Sequence, residues 1–530
     1  MLDNFSGKFD YTAHVFDRTE ICDLSEDYTL PDYMPEIGRV LSCSGIAAQP
    51  TLYIGGGGVE CAGGVRYSLL YESADDGSLF CAELPGEYDV MLTPDRDAKA
   101  PTDGSEISGF CDATLENVTA RVTAPRRLTV KSKLRLHPAL RANNESSPII
   151  HGADVKSESI RQLKGDASCT VCACATAIPI ICRDNISRAE AGLSPDDEIR
   201  IITSHGDVMI HQHQNSDSGA ECRGEVNISV LFAKSGEGER PRRIIRKLPF
   251  SATLTYDSPL PSGSRQIGIR SYGICPSVSS KVDGDSISLE ATVLLSAETA
   301  ASTPISYLKD IYSMNADCET AHTELALHSP SSAFNGHATI SASHDLSSLG
   351  LDSGMKLCTV TAKILPDVEK ELSPSGKLNI TGKMRISAVA DSGGEFIPIE
   401  FDSDYRYGID LSEAAGVAEP VISAVMTVGD VKGRIDAENV VCDCELCAAV
   451  LIETKHSIKV LSEANISPAS EVDTRGASIL VCYPSRGETL WDIAKRYKTD
   501  VSDITERNPL PPSASPDAPE SLSKVKFLIL

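Results

Sequence analysis

Three short stretches of this chain carry residues of the right type and spacing to ligate metals, and a fourth has the make-up of a recognition loop. Cys169, Cys172 and Cys174 in "CTVCAC", and Cys442, Cys444 and Cys447 in "CDCELC", have knuckle-like spacing. A structural zinc site needs four convergent thiolate or imidazole ligands, usually carried on turns. Here Cys442 and Cys444 fall on the inward row of an alternating strand pattern and Cys447 on the other row, so they read as small buried side chains. In "HGDVMIHQH", His205, His211 and His213 share one strand parity, yet no thiol or carboxylate is evidently paired with them. Exposed strand histidines are the expectation, with no metal and no cofactor.

Other chemistries fare no better. The Gly-rich "YIGGGG" (Tyr53 to Gly58) is flanked by strand signals, whereas a phosphate cradle requires a helix N-terminus after the loop, so a hairpin is expected. The basic run "ERPRRIIRK" (Glu239 to Lys247) lacks the interleaved aromatics of a nucleic-acid surface and reads as a solvated hairpin, with a docking patch for an acidic partner as the alternative. G-x-S-x-G, H-E-x-x-H and G-x-x-x-x-G-K-S/T are absent, so no enzyme class receives support.

The fourth stretch, Gly487-Glu488-Thr489-Leu490-Trp491, holds the only tryptophan of 530 residues. Thr489 and Asp492 form a capping pair, and Leu490, Ile493, Ala494 and Tyr497 then trace one apolar helical face. Trp491 lies about 100° around the helix from Leu490, where it either covers a flank of the core or anchors a partner, as hot-spot tryptophans do. Asp500 caps a second helix with Val501 and Ile504 inward. With strands over 478–484 and 525–530, the order is β-α-α-β across 477–530. Lys495, Arg496, Lys498 and Arg486 make the first helix basic.

That order and loop resemble the LysM module, whose signature before helix one is G-D-T-L-W. Asn508 stands where the family has the Asn that ends helix two. The resemblance implies a shallow groove for N-acetylglucosamine chains between the loop before helix one and the loop after helix two. It marks Gly487, Glu488, Thr489, Leu490, Trp491 and Asn508 as partner- or glycan-binding. The second loop, "PLPPSASPDAPESLS", departs from the family's Pro-Gly-Gln turn, which remodels the groove and leaves the fold intact.

Upstream the chain repeats. "VECAGGVRYSLLY", "AECRGEVNISVLF" and "LNITGKMRISAVA" superpose, with Gly63, Gly224 and Gly382 spaced 161 and 158 residues apart. Alternate positions are apolar and the rest mostly polar, the pattern of antiparallel strands with one wet face. The shared glycine sits on the inward row, where it permits a bulge or close backbone approach. Turn signals follow at Asp75-Asp76-Gly77, Ser235-Gly236 and Ser392-Gly393-Gly394. A second block repeats at Val118 to Leu136, Val278 to Leu295 and Val431 to Ala448, and Ile305 to Ser313 is a weaker likeness of Ile160 to Ser168. The expected fold is mainly β: three consecutive sandwich-like repeat domains at 1–145, 146–300 and 301–465, a linker at 466–476 within a Pro-, Ser- and Glu-rich stretch, and the β-α-α-β module.

Three such repeats followed by a LysM resemble the SPOCS-domain proteins of spore-forming bacteria. The resemblance implies a non-enzymatic scaffold of spore-coat or spore-envelope assembly at the forespore surface in the mother-cell cytosol. Its LysM would dock a SpoIVA-like coat-basement ATPase. The alternative is a cell-wall protein whose LysM binds peptidoglycan or N-acetylglucosamine.

Composition agrees with a folded, multi-domain chain: 41% hydrophobic, 23% charged, net charge −26. That charge disfavours nucleic acid and anionic membranes as partners. The start has no secretory pattern and no apolar run reaches the roughly 18 residues of a membrane span, so a cytoplasmic protein with 17 reduced, mostly buried cysteines is expected.

Overall fold

The computed structural model describes residues 7–16, 18–55, 57–94, 107–152, 159–216, 218–234, 240–349, 354–436, 438–468, 480–510, 515–518, 522 and 525–530. The chain is mainly β, with two short helices in its C-terminal module. Among the described residues no helix is long and apolar enough to cross a membrane.

Alternation produces the strands as expected. In Gly58–Ser73, Val59, Val65, Tyr67, Leu69 and Tyr71 are all buried. The shared glycine on this row makes room for a ring from the neighbouring strand. A Cβ at Gly63 would lie 2.5 Å from the Tyr88 hydroxyl, one at Gly224 2.8 Å from the Phe250 ring, and one at Gly382 2.8 Å from the Tyr405 hydroxyl. These aromatics are the glycines' cross-strand partners.

Each repeat closes as two facing sheets. In the second, Ile160–Ser187, Ser286–Ser313 and Arg265–Asp283 form one sheet, and Ile199–Ser216, Gly219–Lys234 and Arg242–Thr255 the other. The first and third repeat the plan, each with a separate core containing Tyr67 and Leu134, or Ile386 and Leu446. All cysteines are free; Cys442 and Cys444 are fully buried in the third core.

The strand pairing cuts across the divisions expected from the sequence. Ile160 to Ser168 and Ile305 to Ser313 are not copies of one element: they pair antiparallel, Ile160 opposite Ser313 and Ser168 opposite Pro304. The strand Ser286–Ser313 is therefore continuous across the boundary expected at residue 300, and the third sheet pair begins at Ala316. The strand Asn439–Pro468 likewise runs past the expected linker start at 466, and residues 469–476 lie outside the described residues. Strands of 28 and 30 residues far exceed the usual 3–10, because their outer halves leave the sandwiches. Phe9, Cys169, Val171, Ile305, Leu327 and Ile458, drawn from all three repeats, pack together there.

Where the three repeats meet, the outward rows are not wet. Leu70, Leu231 and Val389, equivalent residues of the three copies, are buried together with Leu41, Ile202 and Cys358. The polar contacts follow the same cycle. Arg39 donates to the Phe396 carbonyl at 2.5 Å, and Arg200, its counterpart, donates to the Leu79 carbonyl at 2.5 Å. The first repeat thus reaches the third as the second reaches the first.

A cavity of about 700 Å³ lies between the repeats, lined by Gly45, Leu115, Asp207, Tyr272, Lys363 and Val425 among others. Lys363 Nζ donates to the carbonyls of Leu115 and Gly45, and burial pushes it down to about 8. Asp207 is pushed up to about 7, first by burial and then by Asp430. A carboxyl whose folded value exceeds its ordinary one of about 3.9 favours the fold while protonated, and that contribution is lost as pH rises through about 7. Asp207→Asn is therefore expected to raise the thermal midpoint more at pH 8 than at pH 5. An equal shift at both would contradict the assignment.

A C-terminal module seated on the body

The C-terminal module forms helix α1 (Leu490–Tyr497), helix α2 (Val501–Arg507) and a two-stranded sheet of Val481–Cys482 with Leu528–Ile529. The Thr489 side chain accepts from the Asp492 amide at 3.1 Å, and Asp492 accepts from the Thr489 amide at 3.0 Å, a complete capping box. Asp500 caps α2 by accepting from the Ser502 amide at 3.0 Å. Leu490, Ile493, Ala494, Ile504, Cys482 and Leu528 are buried in one small core.

The loop residues expected to bind a partner are largely consumed in building this fold. Gly487 takes φ +86°, a left-handed turn where a side chain is strained. Buried Glu488 accepts from the Ser485 amide at 2.8 Å and pairs with Arg496. Thr489 is the cap, and Leu490 is core. Asn508, buried, donates to the carbonyls of Ile504 at 2.7 Å and Ile529 at 2.8 Å and accepts from the Ile529 amide at 2.8 Å. It ties the end of α2 to the last strand.

Trp491 is not presented to solvent, and it covers a flank of the small core. It is 6% exposed, and its ring meets that of Tyr312 edge-on with centroids 4.8 Å apart. Its Nε1 donates to Asp310 at 2.8 Å, so burial costs the indole no hydrogen bond. Lys495 donates to the same carboxylate at 2.7 and 2.8 Å and to Thr320 at 3.0 Å. Lys498 pairs with Asp317 at 2.6 Å, and Lys309 with Asp517 at 2.6 Å. Arg161 pairs with Asp500, and the Tyr312 hydroxyl donates to the Thr499 carbonyl at 2.7 Å. The module thus sits on the ends of the second and third repeats.

Residues 485–517 match the LysM domain family. No curated protein and no solved structure matches the chain. LysM domains are binding modules, so the match supports a glycan- or protein-binding role without catalysis. Both loops that flank the family's groove are engaged here: Trp491 donates its amide to the Pro516 carbonyl at 2.9 Å, and the next residue, Asp517, is held by Lys309 of the body. Among the described residues, the outer side of the LysM sheet is open. The register of Val481 with Ile529 and Cys482 with Leu528, continued by one residue, sets Tyr483 across from Phe527. These rings are 73% and 51% exposed.

The partners of Trp491 escape a sequence reading because they lie about 180 positions upstream. The face that seeks them does not: Trp491, Lys495 and Lys498 fall at i, i+4 and i+7 of a basic helix in an acidic chain.

The other candidate clusters are absorbed by the body. Among the described residues no group of three or more His, Cys, Asp and Glu is placed to hold a metal. A register shift between Ile210 and Gln212 breaks the shared parity of the histidines. His205, expected to be exposed, lines the central cavity, and burial pushes it down to about 4. His211 lies 3.7 Å from Glu225, and His213 sits beside Asn335 at 3.4 Å. The basic run is not simply solvated: Arg246 pairs with Asp184, Lys247 with Glu225 at 2.5 Å, and Arg243 donates to the Val431 carbonyl of the third repeat at 3.2 Å. The Gly-rich stretch is a hairpin, Gly55 opposite Gly58.

Proposed function

We propose that this chain is a non-enzymatic scaffold of spore-coat or spore-envelope assembly, whose three-repeat body holds a LysM module in place for a protein partner. The observation that carries the reading is the LysM match combined with the module's seat on the second and third of three interlocked β domains. A seated module pays less orientational entropy on capture than a tethered one. The plan of the chain resembles the SPOCS-domain proteins and, among them, the coat morphogenetic protein SipL. On that resemblance the partner is a SpoIVA-like coat-basement ATPase and the site of action the forespore surface in the mother-cell cytosol.

Of the signature loop, Gly487 remains exposed beside Arg486, and the open aromatic pair Tyr483 and Phe527 lies on the module's outer sheet. Among the described residues, these are surfaces open to a partner while the Trp491 face is occupied. A pull-down with the coat ATPase as bait should capture the full chain and lose the Tyr483→Ser/Phe527→Ser variant. Undiminished capture of the variant, or sedimentation of the full chain with peptidoglycan in place of capture, would overturn the proposal. The second outcome would favour the glycan-binding alternative.

A further inference from the structure

We infer that the Trp491 face of the LysM module is a receptor for an acidic and aromatic strand end, and that its resident ligand is the chain's own Asp310–Tyr312. The inference deepens the proposed function by stating what this face recognises. Asp310 and Tyr312 lie two residues apart on Ser286–Ser313, so both project to the same side of the strand. Ile311, between them, is fully buried in a separate cluster on the other side. The carboxylate of Asp310 accepts from the indole and from Lys495, while the ring of Tyr312 packs against the indole. Asp317, at the start of the next strand, supplies a second carboxylate to Lys498. An indole donor, two ammonium groups and an aromatic wall thus meet two carboxylates and a phenol.

This chemistry discriminates between ligands. Oligomers of N-acetylglucosamine are uncharged and offer Lys495 and Lys498 only neutral acceptors in place of carboxylates, so they are poor competitors for a site whose ammonium groups are partly desolvated. A peptide with Asp two residues before Tyr, followed by a further acid, reproduces the contacts to the indole and the carboxylate pairs of Lys495 and Lys498. An external protein engaging Trp491 must carry that pattern and displace the strand end.

Trp491 is the only tryptophan, so tryptophan fluorescence in the full chain reports on this one ring, and variants on the strand side read its contact with the body separately from its place in the LysM core. The unaltered protein should show blue-shifted emission and weak acrylamide quenching. Asp310→Ala/Tyr312→Ala should red-shift the emission and raise quenching several-fold. A synthetic peptide of residues 307–317 added to that variant should reverse both changes, while the same peptide with Asp310→Ala, or tetra-N-acetylglucosamine, should not. Lys495→Ala/Lys498→Ala, which alters the module and spares the strand, should raise quenching in the same direction. Unchanged quenching in both variants, or reversal by the sugar, would overturn the inference. These readouts are independent of partner capture: altered quenching with no capture of the coat ATPase would leave the receptor face standing and sink the proposed function, and capture with unchanged quenching would do the reverse.

Discussion

Replacing Glu298 by alanine is expected to destabilise the body by about 3–5 kcal/mol, the cost of removing one partner from a buried ionic network. Arg141, Arg270, Glu298 and Glu453 are at most 1% exposed. Arg141 donates to Glu298 at 3.1 Å and to Glu453 at 2.6 Å, and Arg270 donates to the other oxygen of Glu298. One member comes from the long terminal strand of each repeat, with Arg270 on the hairpin partner of the second. The four charges cancel, and the network therefore locks the three repeats in register without leaving a net charge inside.

Alanine at 298 leaves two guanidinium groups facing a single carboxylate. Urea unfolding of Glu298→Ala should show the loss. Replacing all four by apolar residues of similar volume should cost far less than the single change. Burial pushes Glu298 up, but Arg270 and Arg141 outweigh it and hold the group below its usual value. Its contribution is then present above the ordinary carboxylate value and lost as pH falls, so the gap between wild type and Glu298→Ala should narrow in acid. A gap that is constant with pH would contradict the network's role.

Trp491→Ala is the second large effect. Truncating a buried tryptophan costs about 3–5 kcal/mol, and here the ring belongs to both the LysM core and its seat against Tyr312. Residues 480–530 should become protease-sensitive while the body unfolds at its wild-type midpoint, because the three large cores do not contain this ring. Loss of partner capture by this variant would then reflect an unseated module and would not show that Trp491 touches the partner. Full protease resistance of 480–530 in the variant would argue that the seat does not depend on the indole.

Much of this architecture was legible. Period-two alternation located the inward rows, Gly63, Gly224 and Gly382 marked the equivalent strand, and Thr489 with Asp492 announced the start of α1 at the residue where it begins. What escaped was whatever depends on contacts between repeats. Leu70, Leu231 and Val389 are apolar on a row that pattern alone reads as wet, and only a second and third copy can cover them. Arg141, Glu298 and Glu453 lie on the outward rows of their strands, in line with Arg135, Glu290 and Glu445, where alternation reads charges as solvated, and nothing local says that they face one another. The strand Ser286–Ser313 runs through the boundary expected at 300, and its 28-residue length has no local signal. Asp310 and Tyr312 read as part of a repeat, since their role is set by a helix that the chain reaches about 180 residues later.

The account stands on the LysM module being seated on the body. Carbodiimide joins only amines and carboxylates already in contact, so mapping its zero-length cross-links in the monomeric full chain tests the seat directly. Links of Lys498 to Asp317, Lys495 to Asp310 and Lys309 to Asp517 are expected, alongside the pair within the second repeat, Lys247 with Glu225. Coupling of Lys247 to Glu225 with none of the three module links would contradict it.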